Sequence, residues 1–145
     1  MPHVTITLTN GTPLLDVAIG VSQPRQSALV AAGQQVPAPM LARLLVDTGA
    51  SHTCLDHTVI TRLGLTQTGT VLTHTPTTGT APQTMPQYDA SITLLHTNLT
   101  RTFGAVPVSA SNFMPQGFQG LLGRDILKEC MLIYSGPDNA FMLSI

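Results

Sequence analysis

Charged residues are scarce in this sequence of 145 residues. Lysine and arginine together number 6, aspartate and glutamate 7, and the formal net charge is −1. Proteins that bind nucleic acids or anionic membranes through electrostatics carry a basic surface, and this sequence has no basic patch with interleaved aromatic residues. We therefore expect no nucleic-acid partner and no membrane partner.

Cysteines and long apolar segments are scarce as well. Cys54 and Cys130 are too few for a disulfide framework, so two separate thiols are the favoured interpretation, with one bridge between them left open. No apolar run approaches the roughly 20 residues that a transmembrane helix needs. The first residues alternate between apolar and polar, unlike a signal peptide. These absences predict a cytoplasmic protein.

What the sequence does contain favours strands. Hydrophobic residues make up 43% of the chain, and 11 prolines, 12 glycines and many threonines accompany them, a composition typical of strands joined by turns. Short apolar or alternating runs predict strands at 4–8, 15–21, 40–46, 88–94, 99–109, 121–122, 131–135 and 140–145. So many short strands predict an all-β fold, a barrel or a sandwich, in a single domain spanning 1–145.

Two short helices are expected. One lies within 55–65, begins after Asp56 and ends near Gly64. The other is "RDILKEC" at 124–130, with Asp125 in its first turn, where the helix dipole favours a negative charge. A helix-start role for Asp125 is therefore favoured over a catalytic one.

Two segments lack a clear hydrophobic period. Segment 22–39 carries three prolines and is predicted as a long surface loop with a short helical turn at 27–32. Segment 66–87 is rich in threonine, glycine and proline, and is predicted as a loop or a long hairpin that turns near Thr78 and Gly79.

The stretch "LLVDTGAS" at 44–51 is the candidate for chemistry. The apolar run "MLARLLV" predicts a strand buried on both faces, and this strand ends on Asp47. A turn residue is one interpretation, because Asp-x-Gly alone is weak evidence. The other is functional: a carboxylate partly removed from water needs hydrogen bonds or a partner, and such groups cluster at functional sites.

A second motif lies far downstream, where Leu121, Leu122, Gly123 and Arg124 precede the second helix. Together with Asp-Thr-Gly-Ala at the end of an apolar strand, this motif resembles the retropepsin family of aspartic proteases, over about 12–145. Bacterial retropepsin-like proteins are the most similar, since the chain continues past the helix into a further hairpin. The resemblance implies a single-lobed, closed β-barrel of the acid-protease fold with one short helix after the Leu-Leu-Gly strand.

The resemblance also implies a mechanism and a set of roles around one catalytic residue, Asp47. Aspartic proteases use two carboxylates that share one proton, without a metal or another cofactor. Thr48 and Gly49 support the active-site turn, with Thr48 bonding across to the opposite turn. Ala50 and Ser51 match positions that contact the substrate backbone.

Two further segments take their roles from the same resemblance. Segment 66–87 occupies the place of the flap that closes over bound peptide, with Thr77, Thr78 and Gly79 near its tip, whereas segment 22–39 corresponds to an insertion. Leu121, Leu122 and Gly123 pack beside the catalytic turn, and Arg124 ties the start of the helix to it.

The second carboxylate is missing from this sequence. No other acidic residue is followed by Thr-Gly or Ser-Gly, and a two-lobed enzyme of this class needs a much longer chain. We therefore predict an obligate homodimer that places Asp47 on both sides of its twofold axis and cleaves extended peptides. By resemblance, its interface includes the terminal strands at 3–8 and 140–145, with 131–135 as a further candidate.

Other interpretations remain beside the homodimeric endopeptidase. A catalytically silent peptide-binding or dimerisation module would keep the fold, but the retained Asp47 and Thr48 favour the enzyme. An unrelated β-sandwich would need both motifs to arise by chance. His52 and His57 are five positions apart, which fits neither helix face, and no third ligand cluster accompanies them, so no metal site is expected.

Overall fold

The computed structural model describes residues 1–73 and 81–145 of the chain. The strands are β1 His3–Thr7, β2 Leu14–Val21, β3 Met40–Val46, β4 Cys54–Asp56, β5 Gln67–Thr73, β6 Gln83–His96, β7 Leu99–Ser111, β8 Gly120–Leu122, β9 Met131–Ser135 and β10 Ala140–Ser144. The helices are α1 Gln23–Ala31, α2 His57–Leu63 and α3 Arg124–Leu127, and a 3-10 turn spans Met114–Gln116.

Six strands close into a barrel. They follow one another in the order β2, β3, β8, β4, β7 and β6, and β6 pairs again with β2 to complete the ring. Strand β5 pairs with the first half of β6 and forms a hairpin that extends beyond the ring. The predicted all-β, closed-barrel architecture is therefore confirmed, including the short helix α3 directly after the Leu-Leu-Gly strand β8.

The core fills the barrel with branched aliphatic side chains from the inward faces of the strands. Its fully buried members include Leu15, Val17, Ile19, Leu44, Leu55, Ile92, Leu94, Val108 and Leu122. At roughly 25 cal/mol for each Å² of apolar surface buried, such side chains contribute about 1.5–3 kcal/mol each to folding.

Strand β3 departs from the expectation that both its faces are buried. Leu44 is fully buried, but Leu41 is 75% exposed and the alternating Arg43 also faces outward. A barrel strand buries only the face that points to the core, so a nearly continuous apolar sequence does not guarantee two covered faces. The expectation was wrong for the outer face.

Helix α1 corrects the prediction of a long loop with a short turn at 27–32. The helix begins earlier, because the Ser22 hydroxyl accepts a hydrogen bond from the Arg25 amide (3.3 Å) and Pro24 lies in the first turn, where a missing N–H costs nothing. None of its residues is buried. A helix that buries no face has no hydrophobic period, which explains why the sequence pattern did not indicate it.

The remaining elements agree closely in type, and less closely in length, with those predicted from the sequence. Helix α2 is capped by Asp56 and ends at Gly64, as expected. The helix predicted over 124–130 is only the four-residue α3. Strands β9 and β10 form the expected hairpin, and β1 adds to β10 to complete a separate three-stranded sheet.

Within the described residues, no helix combines the length and the hydrophobicity needed to cross a membrane. The cytoplasmic location stays a prediction.

The structure leaves Cys54 and Cys130 as free thiols, which settles the question of a bridge between them.

Candidate active site

The candidate site begins where two parallel strands end side by side. Strands β3 and β8 pair through Leu45 with Leu121 and Val46 with Leu122. The next amide along β3, that of Asp47, donates to the Leu122 carbonyl over 3.0 Å. Residues that lie about 75 positions apart in the sequence are thereby brought together, and the turn after β3 lies against the start of α3.

The turn after β3 holds the Asp47 carboxylate. The Gly49 amide donates to Asp47 Oδ1 over 2.9 Å, and the Ala50 amide donates to the Asp47 carbonyl over 3.2 Å. A Cβ at position 49 would lie 3.1 Å from Oδ1, so glycine allows the backbone to approach the carboxylate closely. Gly49 is the residue for which the family resemblance implies a turn-supporting role.

The start of α3 is bonded to the same turn. Arg124 Nη1 donates to the Thr48 carbonyl over 2.8 Å, and the Arg124 amide donates to the Ala50 carbonyl over 2.9 Å. A Cβ at Gly123 would lie 2.5 Å from the carbonyl carbon of His52, so only glycine fits at this crossing. The geometry agrees with the tie that the family resemblance implies for Arg124.

A further bridge joins α3 to the chain after the turn. Asp125 Oδ2 accepts from the Thr53 amide (2.9 Å), and Oδ1 accepts from the Thr53 hydroxyl (2.8 Å). The same hydroxyl accepts from the Gly123 amide over 3.2 Å. Asp125 is thus a helix-start residue, as expected, and also a support of the candidate site, which the sequence analysis missed because nothing local pairs positions 53 and 125.

Asp56 anchors another edge of the site. Besides capping α2 through the Thr58 amide (2.9 Å) and hydroxyl (2.7 Å), its carboxylate accepts from the amides of Phe113 (2.7 Å) and Met114 (3.1 Å). Burial raises the pKa of this carboxyl, but the four hydrogen bonds favour the ionised form more strongly and lower the pKa to about 2. The sequence predicted the cap, but not the link to the chain after β7.

An open cleft of about 450 Å³ lies over the Asp47 turn. The β5–β6 hairpin contributes one side of it, through Thr73, Gln83 and Met85. The other lining residues are Asp47, Gly49, Ala50, Ser51, His52, Cys54, Ser109, Ser111, Phe113 and Leu121.

Of the residues predicted for the site, Asp47, Gly49, Ala50, Ser51 and Leu121 line the cleft, whereas Thr48, Gly123 and Arg124 are outside its lining. The predicted flap-tip residues Thr77, Thr78 and Gly79 lie outside the described residues. Leu122 is buried in the core behind the turn.

His52 lies between two serine hydroxyls on one side of the cleft. Its Nδ1 is 3.1 Å from Ser51 Oγ, and its Nε2 is 3.3 Å from Ser109 Oγ. Ser109 Oγ in turn donates to Cys54 Sγ over 3.2 Å. Burial raises the pKa of the Cys54 thiol, so it stays protonated at neutral pH. No local signal in the sequence indicated this arrangement, because Ser109 is distant from His52 in the chain.

Across residues 1–73 and 81–145, no three histidine, cysteine or acidic side chains gather in a way that could hold a metal ion. His52 precedes strand β4 in the chain, and His57 follows it as the first residue of α2.

Comparison with known proteins agrees with this geometry. A family model described as aspartyl protease matches residues 33–126, which is more than half of the chain and includes the Asp47 turn and the Leu-Leu-Gly-Arg motif. A search of curated protein sequences finds no match.

Among solved structures, the chain is similar to a retropepsin-like aspartic protease from Rickettsia conorii. The two superpose with a TM-score of 0.52 at 14% sequence identity, over 97% of this chain and 88% of the other. At this identity the likeness establishes the fold alone. Combined with the family match, it leads to one conclusion: this chain belongs to the aspartyl protease family and has a retropepsin-like fold.

Proposed function

We propose that the chain is a homodimeric aspartic endopeptidase in which Asp47 of each subunit supplies one carboxylate of the catalytic pair. The observation that carries the proposal is the Asp47 carboxylate itself, held by the Gly49 amide beside an open cleft. Membership of the aspartyl protease family supports peptide hydrolysis in general.

The chemistry follows from two carboxylates that share one proton, because like charges about 3 Å apart do not both ionise. The ionised Asp47 accepts a proton from a water molecule as the water oxygen attacks the peptide carbonyl carbon. The protonated Asp47 donates its proton to the carbonyl oxygen. Collapse of the tetrahedral intermediate breaks the C–N bond, and the leaving nitrogen takes a proton from the pair. No covalent intermediate, metal or cofactor takes part.

Other residues of the turn have positioning and binding roles in this proposal. Thr48 and Gly49 hold the turn, while Ala50 and Ser51 line the cleft where the substrate backbone would lie. The β5–β6 hairpin also lines the cleft and takes the role of the flap, which excludes water once a peptide is bound.

The dimer accounts for the second carboxylate, because the sequence contains one Asp-Thr-Gly. The three-stranded sheet β1-β10-β9 offers a surface for it. On the face directed away from the core, Met131 is 51% exposed and Ile133 is 46% exposed, and Ile133 pairs in register with Met142. An apolar face on the terminal strands supports the predicted interface there.

The decisive experiment compares the wild type with Asp47→Asn on a peptide library at mildly acidic pH. Asparagine keeps the size of the side chain but neither activates water nor shares the proton, so cleavage should fall by at least about 1000-fold. Asp16→Asn is the matched control, because Asp16 forms an exposed ion pair with Arg43 and does not line the Asp47 cleft. Equal cleavage by the wild type and Asp47→Asn would refute the mechanism. Absence of cleavage by both would favour the silent binding module.

A further inference from the structure

The direction of the hydrogen bonds around His52 determines what this side of the cleft offers to a substrate. The Ser109 hydroxyl has one proton, which it donates to Cys54 Sγ. Ser109 Oγ must therefore accept at its contact with His52, so that Nε2 carries the imidazole proton. Nδ1 of the neutral ring then accepts, and the Ser51 hydroxyl donates to it.

In this series of hydrogen bonds, every donor proton consequently points inward, from Ser51 towards Cys54. Ser109 is only 2% exposed, whereas Ser51 is exposed at the mouth of the cleft. With its proton directed at His52, Ser51 Oγ presents only its oxygen lone pairs to the cleft. Asp47 lies on the same lining and also accepts hydrogen bonds. This side of the cleft is therefore rich in acceptors.

Other residues of the cleft lining are apolar. Leu121 packs with Phe113, Phe118 and Cys54 in a small hydrophobic cluster, and Met85 of the hairpin faces the same cleft. A substrate side chain against these residues would be selected by hydrophobic burial. The two parts of the lining thus differ in the chemistry that they recognise, although family resemblance alone suggests apolar residues on both sides of the cut.

We propose that the Ser51–His52 side of the cleft binds a substrate side chain that donates an N–H hydrogen bond, with an amide as the simplest case. This inference rests on the proposed function. Ser51 Oγ is the acceptor that contacts the substrate, and His52 is a positioning residue that keeps the Ser51 proton turned away. A side chain of equal size that cannot donate leaves this acceptor without a partner, which costs binding in the transition state.

The test uses peptides in which each position flanking the cut is occupied in turn by asparagine, aspartate or leucine. These three side chains have nearly the same size, but only asparagine donates an N–H. At one position, the wild type should cleave the asparagine peptide about 5- to 10-fold faster in kcat/KM than either of the others. Ser51→Ala, a change at an exposed position that leaves the fold intact, should reduce this preference to about twofold or less.

His57→Leu is the matched control, because His57 is an exposed histidine outside the cleft lining, and its asparagine preference should equal that of the wild type. A preference for leucine at every position, or an asparagine preference that survives Ser51→Ala, would overturn the inference.

Binding of the same peptides to Asp47→Asn, measured by calorimetry, separates this inference from the proposed function. One outcome is that the wild type cleaves no peptide, while Asp47→Asn binds the asparagine peptide more tightly than the others and the Asp47→Asn, Ser51→Ala double variant does not. In that case the enzyme proposal fails and the subsite stands. If cleavage occurs without any difference between asparagine and leucine, the subsite fails and the enzyme stands.

Discussion

At the scale of single residues, the Thr53–Asp125 pair connects the two halves of the candidate site. Thr53 is fully buried, and its hydroxyl both donates to Asp125 Oδ1 and accepts from the Gly123 amide. Buried polar groups that lose a partner cost more free energy than the bond contributes when formed. One hydroxyl therefore keeps α3, and with it the Arg124 bonds to the Asp47 turn, in place.

We expect Thr53→Val to weaken both the fold and the activity. Valine has the same shape but removes the hydroxyl donor to Asp125 Oδ1, which keeps the Ile126 amide, and the acceptor of the Gly123 amide, so the free energy of unfolding should fall by about 1–3 kcal/mol. The displaced turn should lower kcat/KM by about 10- to 100-fold. Urea denaturation and peptide cleavage measure the two effects.

The control for this substitution is Thr102→Val on strand β7. Thr102 is exposed, and among the described residues its hydroxyl bonds only to that of Thr93 (3.0 Å), so stability should change by no more than about 0.5 kcal/mol. If Thr53→Val kept the kcat/KM of the wild type, the Thr53 hydroxyl would not position the Asp47 turn.

At the scale of elements, Asp56 joins the start of α2 to the chain that follows β7. Asp56 is 1% exposed, and three of its four hydrogen bonds come from backbone amides. Such an arrangement favours the charged form over the protonated form and lowers the pKa to about 2, from an ordinary value of about 3.9. Because Phe113 lines the cleft, this carboxylate also fixes the position of one cleft side.

The depressed pKa predicts a specific loss of stability in acid. The contribution of Asp56 is present above about pH 4 and is lost as the pH falls towards 2 and below, and the shift corresponds to about 2 kcal/mol. Asp56→Asn should therefore be less stable than the wild type at about pH 6, and the gap between them should narrow below about pH 3. Urea denaturation at a series of pH values measures it.

Asp138→Asn serves as the comparison for this pH series. Asp138 is exposed and bonds to Ser135 within the β9–β10 turn. The unfolding curve of Asp138→Asn should therefore follow that of the wild type at every pH. If the difference in free energy of unfolding between Asp56→Asn and the wild type stayed constant down to about pH 2, it would not arise from the ionised Asp56 carboxylate.

At the scale of the whole molecule, the proposed activity depends on association of two chains. A twofold axis brings identical surfaces together, so an apolar residue on the interface is buried against the same region of its partner. Strand β9 exposes Met131 and Ile133 on the terminal sheet, which is separate from the sheet that forms the barrel. A charge introduced at this face would be desolvated in the dimer and solvated in the monomer.

We expect Ile133→Asp to dissociate the dimer. The wild type should sediment as a dimer at micromolar concentration, and the substitution should raise the dissociation constant by about 10- to 100-fold. Cleavage activity should fall in parallel, because a monomer holds one carboxylate. Leu41→Asp, on an exposed position of β3 outside the terminal sheet, should leave the dimer unchanged. A wild-type monomer with full activity would exclude the shared site.

The sequence by itself determined the elements whose cause is local. Alternating apolar residues predicted the strands, Asp56 and Gly64 marked the ends of α2, and the Asp47 and Leu-Leu-Gly-Arg motifs indicated both the fold and the place of the site. Each of these signals lies within a few neighbouring residues, so periodicity and capping preferences can report it. The exposed helix α1 was missed for the same reason, since a helix that buries nothing leaves no apolar period.

Only the tertiary structure decided which distant residues meet. Asp125 reaches Thr53, Asp56 reaches the amides of Phe113 and Met114, and Ser109 reaches His52, each across more than fifty positions of the chain. The barrel's closure produces these pairings, because strands β4, β7 and β8 lie side by side there. It likewise left the outer face of β3 exposed. Which hydrogen bonds hold the site, and the acceptor character of its serine–histidine side, follow from that closure.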